Sequence, residues 1–228
     1  MIIAHRGIHN NKDIPENSML AFSKAIEKNY AIEFDIEITK DDKLVIHHDD
    51  SLFRMTGVNK KVEDMTLAEI KELNLLGTNE KIPTFKEVLD LVNGKVFLDI
   101  EVKSTRRVKR IVGLILKEIK NYQGELSFKS FDPFIVRRLK KEVTKYKVGL
   151  LVMKKSASDF LNILVATRLI YLTKCDFLAV SKKMINDKYY LKHIGKKPLY
   201  AWTFNGLMEA EDFMKKYPDV ICICNDLD

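Results

Sequence analysis

The chain has 228 residues, 46% of them hydrophobic and 31% charged, which is enough for one sizeable core without a disulfide scaffold. Nine glycines and five prolines exclude a collagen-like chain, and no apolar run approaches the roughly 18 residues that span a membrane. Net charge is +7, but the lysines are scattered along helical stretches without interleaved aromatics, so no nucleic-acid partner is expected, while a phosphorylated substrate would be attracted.

Met1 is followed at once by Ile2, Ile3 and Ala4, with no basic stretch before a long apolar segment, so no secretory leader is expected. The three cysteines are an odd number and suit a reducing cytoplasm; Cys222-x-Cys224 with Cys175 alone elsewhere does not make a zinc site.

In chain order, Ile2–Ala4 reads as a first strand, and Asn17-Ser18 caps a helix with Met19, Phe22, Ala25 and Ile26 on one face. Ala31–Ile38 alternates Ile32, Phe34, Ile36 and Ile38 against Glu33, Asp35 and Glu37, a strand period; Leu44–Ile46 adds an extended piece. Thr84-x-x-Glu87 opens a helix that Gly94 stops, Val96–Val102 is the next strand, and Val108–Ile119 follows helical spacing. The second half continues with strands near Phe128, Val148–Met153, Phe177–Val180, Leu199–Thr203 and Val220–Ile223. Between them come helices after Asp132-Pro133, over Phe160–Leu169 and around Leu207–Met214.

Eight strands alternating with helices predict a parallel sheet. No glycine-rich phosphate loop marks a doubly wound nucleotide domain, so a closed (β/α)8 TIM barrel is expected, as one domain over 1–228. The nearly forty residues between Ile46 and Thr84 carry their own capping box, Thr66-x-x-Glu69, and read as an inserted subdomain at about 50–81 on the catalytic face. The chain stops at Asp228 with little or no closing eighth helix. An outward apolar seam beside Val220, Ile221 and Ile223 is therefore expected, covered by a second subunit in a two-fold homodimer.

Polar residues crowd the ends of the early strands. Glu33 and Asp35 share one strand face, and where both faces are covered two carboxylates call for a cation or protons between them. Glu101 adds a third oxygen donor, the preference of Mg²⁺ or Ca²⁺. His5 and His48 each follow an apolar strand beside another ionisable group, as a general acid/base pair would. Arg6 and Lys103 suit a phosphate; His9 and His47 have weaker claims and are taken as bystanders.

Together the chain reads His5-Arg6-Gly7, Pro15-Glu16-Asn17-Ser18, Glu33-x-Asp35, His48-Asp49-x-x-Leu52-x-Arg54, Ile82-Pro83-Thr84 and Leu98-x-Ile100-Glu101-x-Lys103. Ser130-Phe131-Asp132, Trp202-Thr203-x-Asn205 and Asn225-Asp226 follow. This resembles the glycerophosphodiester phosphodiesterase family over essentially the whole chain. The resemblance implies a (β/α)8 barrel with an insertion after the second strand, hydrolysing glycerophosphodiesters to an alcohol and sn-glycerol 3-phosphate through a cyclic phosphate. It implies one divalent cation on Glu33, Asp35 and Glu101, acid/base chemistry by His5 and His48, phosphate contacts from Arg6 and Lys103, and Phe131 and Trp202 along the glycerol. Two alternatives stay open: a lysophospholipase D-like enzyme, which an apolar rim at Phe53, Met55 and Val58 would favour, and a non-catalytic barrel that binds a phosphorylated ligand.

Overall fold

Strand β1 (Ile2–His5) pairs in parallel with β2 (Ala31–Ile38) on one side and with β9 (Ile221–Asn225) on the other, and that double pairing closes the sheet. The remaining barrel strands are β4 (Leu98–Val102), β5 (Leu126–Ser130), β6 (Lys147–Val152), β7 (Phe177–Ser181) and β8 (Leu199–Asn205), all parallel to their neighbours. The short β3 (Leu44–Ile46) lies antiparallel on β2 and completes the nine strands. A computed structural model supplies these coordinates and describes residues 1–153, 159–185, 192 and 197–227, with 159–163 given by backbone alone.

Helices cover the outside: α1 (Met19–Glu27), α4 (Phe85–Val92), α5 (Val108–Ile119), α6 (Pro133–Glu142), α7 (Asp159–Thr173) and the helix Leu207–Lys216. Their starts follow the capping rules. Ser18 accepts from the Ala21 amide, Thr84 and Glu87 form a reciprocal capping box, and Asp132 accepts from the Phe134 and Ile135 amides ahead of Pro133. Val88, Leu89 and Val92 of α4, and Ile111, Val112 and Ile115 of α5, are buried against the outward strand residues Phe34, Ile100 and Phe128. Gly7, at φ 79°, brings the chain after β1 onto α1; a Cβ there would lie 2.8 Å from the Ala21 carbonyl carbon.

The stretch at about 50–81 contains α2 (Phe53–Thr56), a 3₁₀ turn at Val62–Asp64 and α3 (Leu67–Lys71). Leu52, Met55, Val62, Met65, Ile70 and Leu75 gather with Val45 and Ile82 into a small core separate from the main one. Met55 is therefore buried and Val58 packs against this cluster, so of the three residues expected to form an apolar rim only Phe53 is strongly exposed, at 61%.

Two expectations change. Strand β4 starts at Leu98 rather than Val96: its pairing with β2 begins at Ile32 and Leu98, with the Ile32 amide donating to the Phe97 carbonyl. The outward apolar seam at the last strand is absent. Ile221 and Ile223 face the barrel interior with Ile3, Phe177 and Tyr200. The outward positions are Cys222 and Cys224, 0% and 1% exposed, in the main core with Ala4, Phe204, Ala210 and Leu227. Small outward side chains let the flanking elements close over β9, and Lys28 at the end of α1 donates to the Leu227 carbonyl. The dimer that was to cover an open seam loses its argument. Asp228 lies outside the described residues.

Candidate active site

The strand period sends Glu33 and Asp35 of β2 and Asp99 and Glu101 of β4 into the barrel, in register: Glu33 opposite Asp99, Asp35 opposite Glu101. Oxygens of Glu33, Asp35 and Glu101 lie within 4.8 Å of one another, and all three side chains are buried. Cations surround them. Lys103 Nζ is 3.0 Å from Asp35 and 2.9 Å from Glu101, and Arg6 Nε is 3.7 Å from Asp35. Burial alone would raise the Asp35 carboxyl, but Lys103, His48 and Arg6 outweigh it and hold Asp35 below the usual carboxylate range. Glu101 moves the other way, raised by burial and by the Asp35 charge. Glu33 Oε2 is buried with no hydrogen-bond partner. Three clustered carboxylates, one with a buried oxygen that has no hydrogen bond, are what an oxygen-preferring divalent cation would satisfy, so the donor set fits the ion expected there.

The two histidines are anchored alike. His5 Nδ1 donates to the Asn225 side-chain oxygen at 2.6 Å, which leaves Nε2 facing Glu33 Oε2 at 3.9 Å. His48 Nδ1 is 2.7 Å from Asp49 Oδ1, so its Nε2 is likewise the free nitrogen. Burial lowers His5 from its ordinary value, opposed by the charge of Glu33. His47 is 2% exposed and donates through Nε2 to the Ser51 carbonyl at 3.3 Å, a packing role.

Arg6 does not float free for phosphate. Its Nη1 is 2.7 Å from Glu16, which is also held by Arg54 and Asn11. Arg54 in turn holds Asp49 through Nε at 2.5 Å. An unbroken ion-pair chain therefore links His48, Asp49, Arg54, Glu16 and Arg6, and it locks Arg6 and the ring of His48 in one frame. Glu16 falls well below the usual carboxylate range: burial opposes this, and Arg54 and Arg6 overcome it.

A cavity of about 180 Å³ opens at this end of the barrel, lined by His5, Arg6, Glu33, His48, Glu101 and Lys129 on one side and by Phe131, Leu151, Met153 and Trp202 on the other. Phe131 and Trp202 meet edge to face with ring centroids 6.1 Å apart. An adjoining cavity of about 410 Å³ runs past His48 to Lys103 and Ser104. All nine residues expected at the site thus reach one region: His5, Arg6, Glu33, Asp35, His48, Glu101, Lys103, Phe131 and Trp202.

Sequence reasoning missed four contributors. Asn225 and Asp49 orient the histidines, and Asp99 and Lys129 lie beneath the carboxylates. Asp49 and Asn225 belong to motifs already quoted, without a role. Lys129 had a signal of its own: Leu126-Ser127-Phe128-Lys129-Ser130 alternates, and a barrel makes its polar face an interior one. Asn17, part of the quoted Pro15-Glu16-Asn17-Ser18 motif, donates to Asp35 Oδ2 at 3.1 Å.

A closed parallel barrel with buried carboxylates, two histidines and phosphate-suited cations at the carboxyl ends of its strands has the build of a barrel enzyme with its site at that face. The model of the glycerophosphoryl diester phosphodiesterase family matches residues 5–226, and the chain belongs to that family. It is 39% identical over 162 residues to a glycerophosphodiester phosphodiesterase of Caldanaerobacter subterraneus subsp. tengcongensis, a match that spans 66% of either chain, just under two thirds. Among solved structures it is similar to an Oleispira antarctica phosphodiesterase in complex with sn-glycerol-3-phosphate (TM-score 0.80, 23% identity, covering 98% of this chain and 92% of that one). It is also similar to a glycerophosphodiester phosphodiesterase from Thermotoga maritima (TM-score 0.73, 26% identity, covering 97% and 93%).

Proposed function

We propose that the protein hydrolyses glycerophosphodiesters to an alcohol and sn-glycerol 3-phosphate, with one divalent cation, Mg²⁺ or Ca²⁺, held by Glu33, Asp35 and Glu101. The observation that carries this reading is the convergence of three buried carboxylates within 4.8 Å, flanked by two histidines whose Nδ1 atoms are both already engaged. When bound, the cation offsets phosphate charge as it builds in the transition state.

The chain's own residues do the rest. Arg6 and Lys103 hold the diester's non-bridging oxygens, Arg6 pre-oriented by Glu16. Phe131 and Trp202 pack along the glycerol carbons. One histidine takes the proton of the glycerol 2-hydroxyl through Nε2 while that oxygen forms a bond to phosphorus. The bond from phosphorus to the leaving alcohol breaks, and the other histidine gives its Nε2 proton to that oxygen. Water then opens the cyclic phosphate with the two roles exchanged: the proton returns to the 2-hydroxyl, and the phosphate remains on the sn-3 oxygen. Three buried free thiols accord with a cytoplasmic setting, and among the described residues no helix is long and apolar enough to cross a membrane. The burial of Met55 in the insertion's own core does not favour a lipid-like alcohol as leaving group.

The test is release of glycerol 3-phosphate from a panel of glycerophosphodiesters, with and without EDTA. Release that EDTA abolishes and Mg²⁺ or Ca²⁺ restores is expected. Release of the alternative product, a phosphorylated head group, or none from any diester, would overturn the reading.

A further inference from the structure

Beneath the three carboxylates the barrel holds a charge pair that the proposed reaction does not use. Lys129 is 1% and Asp99 0% exposed. Lys129 Nζ contacts Asp99 Oδ2 directly and lies 3.0 Å from Glu33 Oε1; the other oxygen of Asp99 accepts from the Ser127 hydroxyl at 2.6 Å. Sheet register imposes this arrangement, with Glu33 beside Asp99, Asp99 beside Ser127, and Glu101 beside Lys129 on successive strands. Burying an ammonium costs several kcal/mol unless it is well paired, so its place in the barrel demands the partners it has.

The consequence falls on Glu33. Its Oε1 is taken by Lys129, and its Oε2 is buried without a hydrogen-bond partner, with His5 Nε2 3.9 Å away. We propose that Lys129 is a positioning residue: held by Asp99 and Ser127, it locks Glu33 so that Oε2 alone faces the cation, and it thereby sets how tightly the cation is held. This rests on the three-carboxylate metal reading above. The pair is neutral as a whole, so removing both members leaves the charge of the site unchanged. What is lost is the fixing of Glu33, and partners that orient a ligand in this way are typically worth about 10–100-fold in metal affinity.

The experiment compares the full-length wild type with the Asp99→Asn/Lys129→Met double variant. Calorimetric titration with Mg²⁺, then Ca²⁺, in the absence of substrate gives the affinity, and thermal unfolding with and without EDTA gives the fold. A cation affinity weakened about 10–100-fold is expected, with the metal concentration for half-maximal turnover shifted by the same factor and kcat at saturating metal close to wild type. Asp99→Asn/Lys129→Gln, whose amide can still donate to Glu33, should recover most of the affinity, and it carries the test if the first variant does not fold. Unchanged cation affinity beside a lowered melting temperature would reduce the pair to packing and overturn the proposal alone. A wild type that binds neither cation would overturn the metal reading as well.

Discussion

The two walls of the barrel interior differ sharply. From β1 to β5 the inward side chains include His5, Glu33, Asp35, Asp99, Glu101, Ser127 and Lys129. From β6 to β9 they are mostly small or apolar, Gly149, Leu151, Phe177, Ala179, Tyr200, Trp202, Ile221 and Ile223, with only the uncharged polar groups of Ser181 and Asn225 among them at the upper ends of β7 and β9. Every described charged group inside the barrel stands on the first wall. The second supplies bulk: Phe177 stacks on Tyr200 with centroids 4.1 Å apart and fills the floor. Ionic groups on one side and a low-dielectric face on the other strengthen each charge interaction at the mouth between them. The division separates the energetics too, since changes on the polar wall should cost chemistry and changes on the apolar wall should cost stability.

The largest expected effect is on the polar wall. Glu33→Ala or Asp35→Ala should abolish turnover while far-UV circular dichroism keeps the barrel signature, and exhaustive chelation of the wild type should do the same. Full activity after chelation would break the comparison at its root. Next come the histidines: His5→Ala and His48→Ala should each lower kcat by about 10²–10⁴-fold, the worth of a positioned acid or base. His47→Ala should leave kcat near wild type and lower the melting temperature, since that ring is buried and its side-chain hydrogen bond is to the Ser51 carbonyl. An essential His47 beside a dispensable His48 would reverse the assignment.

On the apolar wall the test is Gly149→Ala. A Cβ there would come within 2.3 Å of the Phe177 ring, so the stacked floor must shift. A loss of about 1–3 kcal/mol in denaturant unfolding is expected, with kcat of the folded fraction unchanged. A drop in kcat without loss of stability would show that the walls are not separable.

The smallest effect lies outside the barrel and sharpens the contrast, because there Lys86, Lys117 and Lys43 act on a half-buried carboxylate too weakly to offset its burial. Glu118 Oε2 has no hydrogen-bond partner, and burial pushes the carboxyl from 4.5 up to about 7. An acid raised by folding favours the folded state while protonated. Its contribution is therefore complete below about pH 4.5 and drains away as pH rises to about 7. Glu118→Gln should match wild type near pH 4 and exceed it at pH 8 by about 1 kcal/mol, a figure reduced for the partial exposure of the group. Parallel stability curves for the two proteins would refute the assignment.

Much of this was readable from residue order. Period-2 alternation in Ala31–Ile38 placed Glu33 and Asp35 on one face, and capping residues at Ser18, Thr84 and Asp132 marked helix starts that the structure reproduces. Lys129 escaped because a single lysine in a short alternating strand looks like a solvated one until the strand is known to be enclosed. The seam expected beside Val220, Ile221 and Ile223 fails for a related reason: period 2 says that two residues share a face and is silent on which face is inside, and Ile221 and Ile223 face inward. The ion-pair chain from Asp49 through Arg54 and Glu16 to Arg6 joins residues up to 48 positions apart, and no local pattern encodes such a meeting.

By itself the sequence determined the alternation of strands and helices, the helix ends and the identities of the groups able to do chemistry, because each follows from local periodicity, capping and residue type. Barrel closure decided the rest. Pairing β1 with β9 brings His5 at the chain's start to Asn225 near its end, and the parallel register sets Glu33, Asp99 and Ser127 side by side. Only that enclosure turns scattered carboxylates into a buried centre, because the removal of water is what makes their spacing, and the ammonium beneath them, energetically decisive.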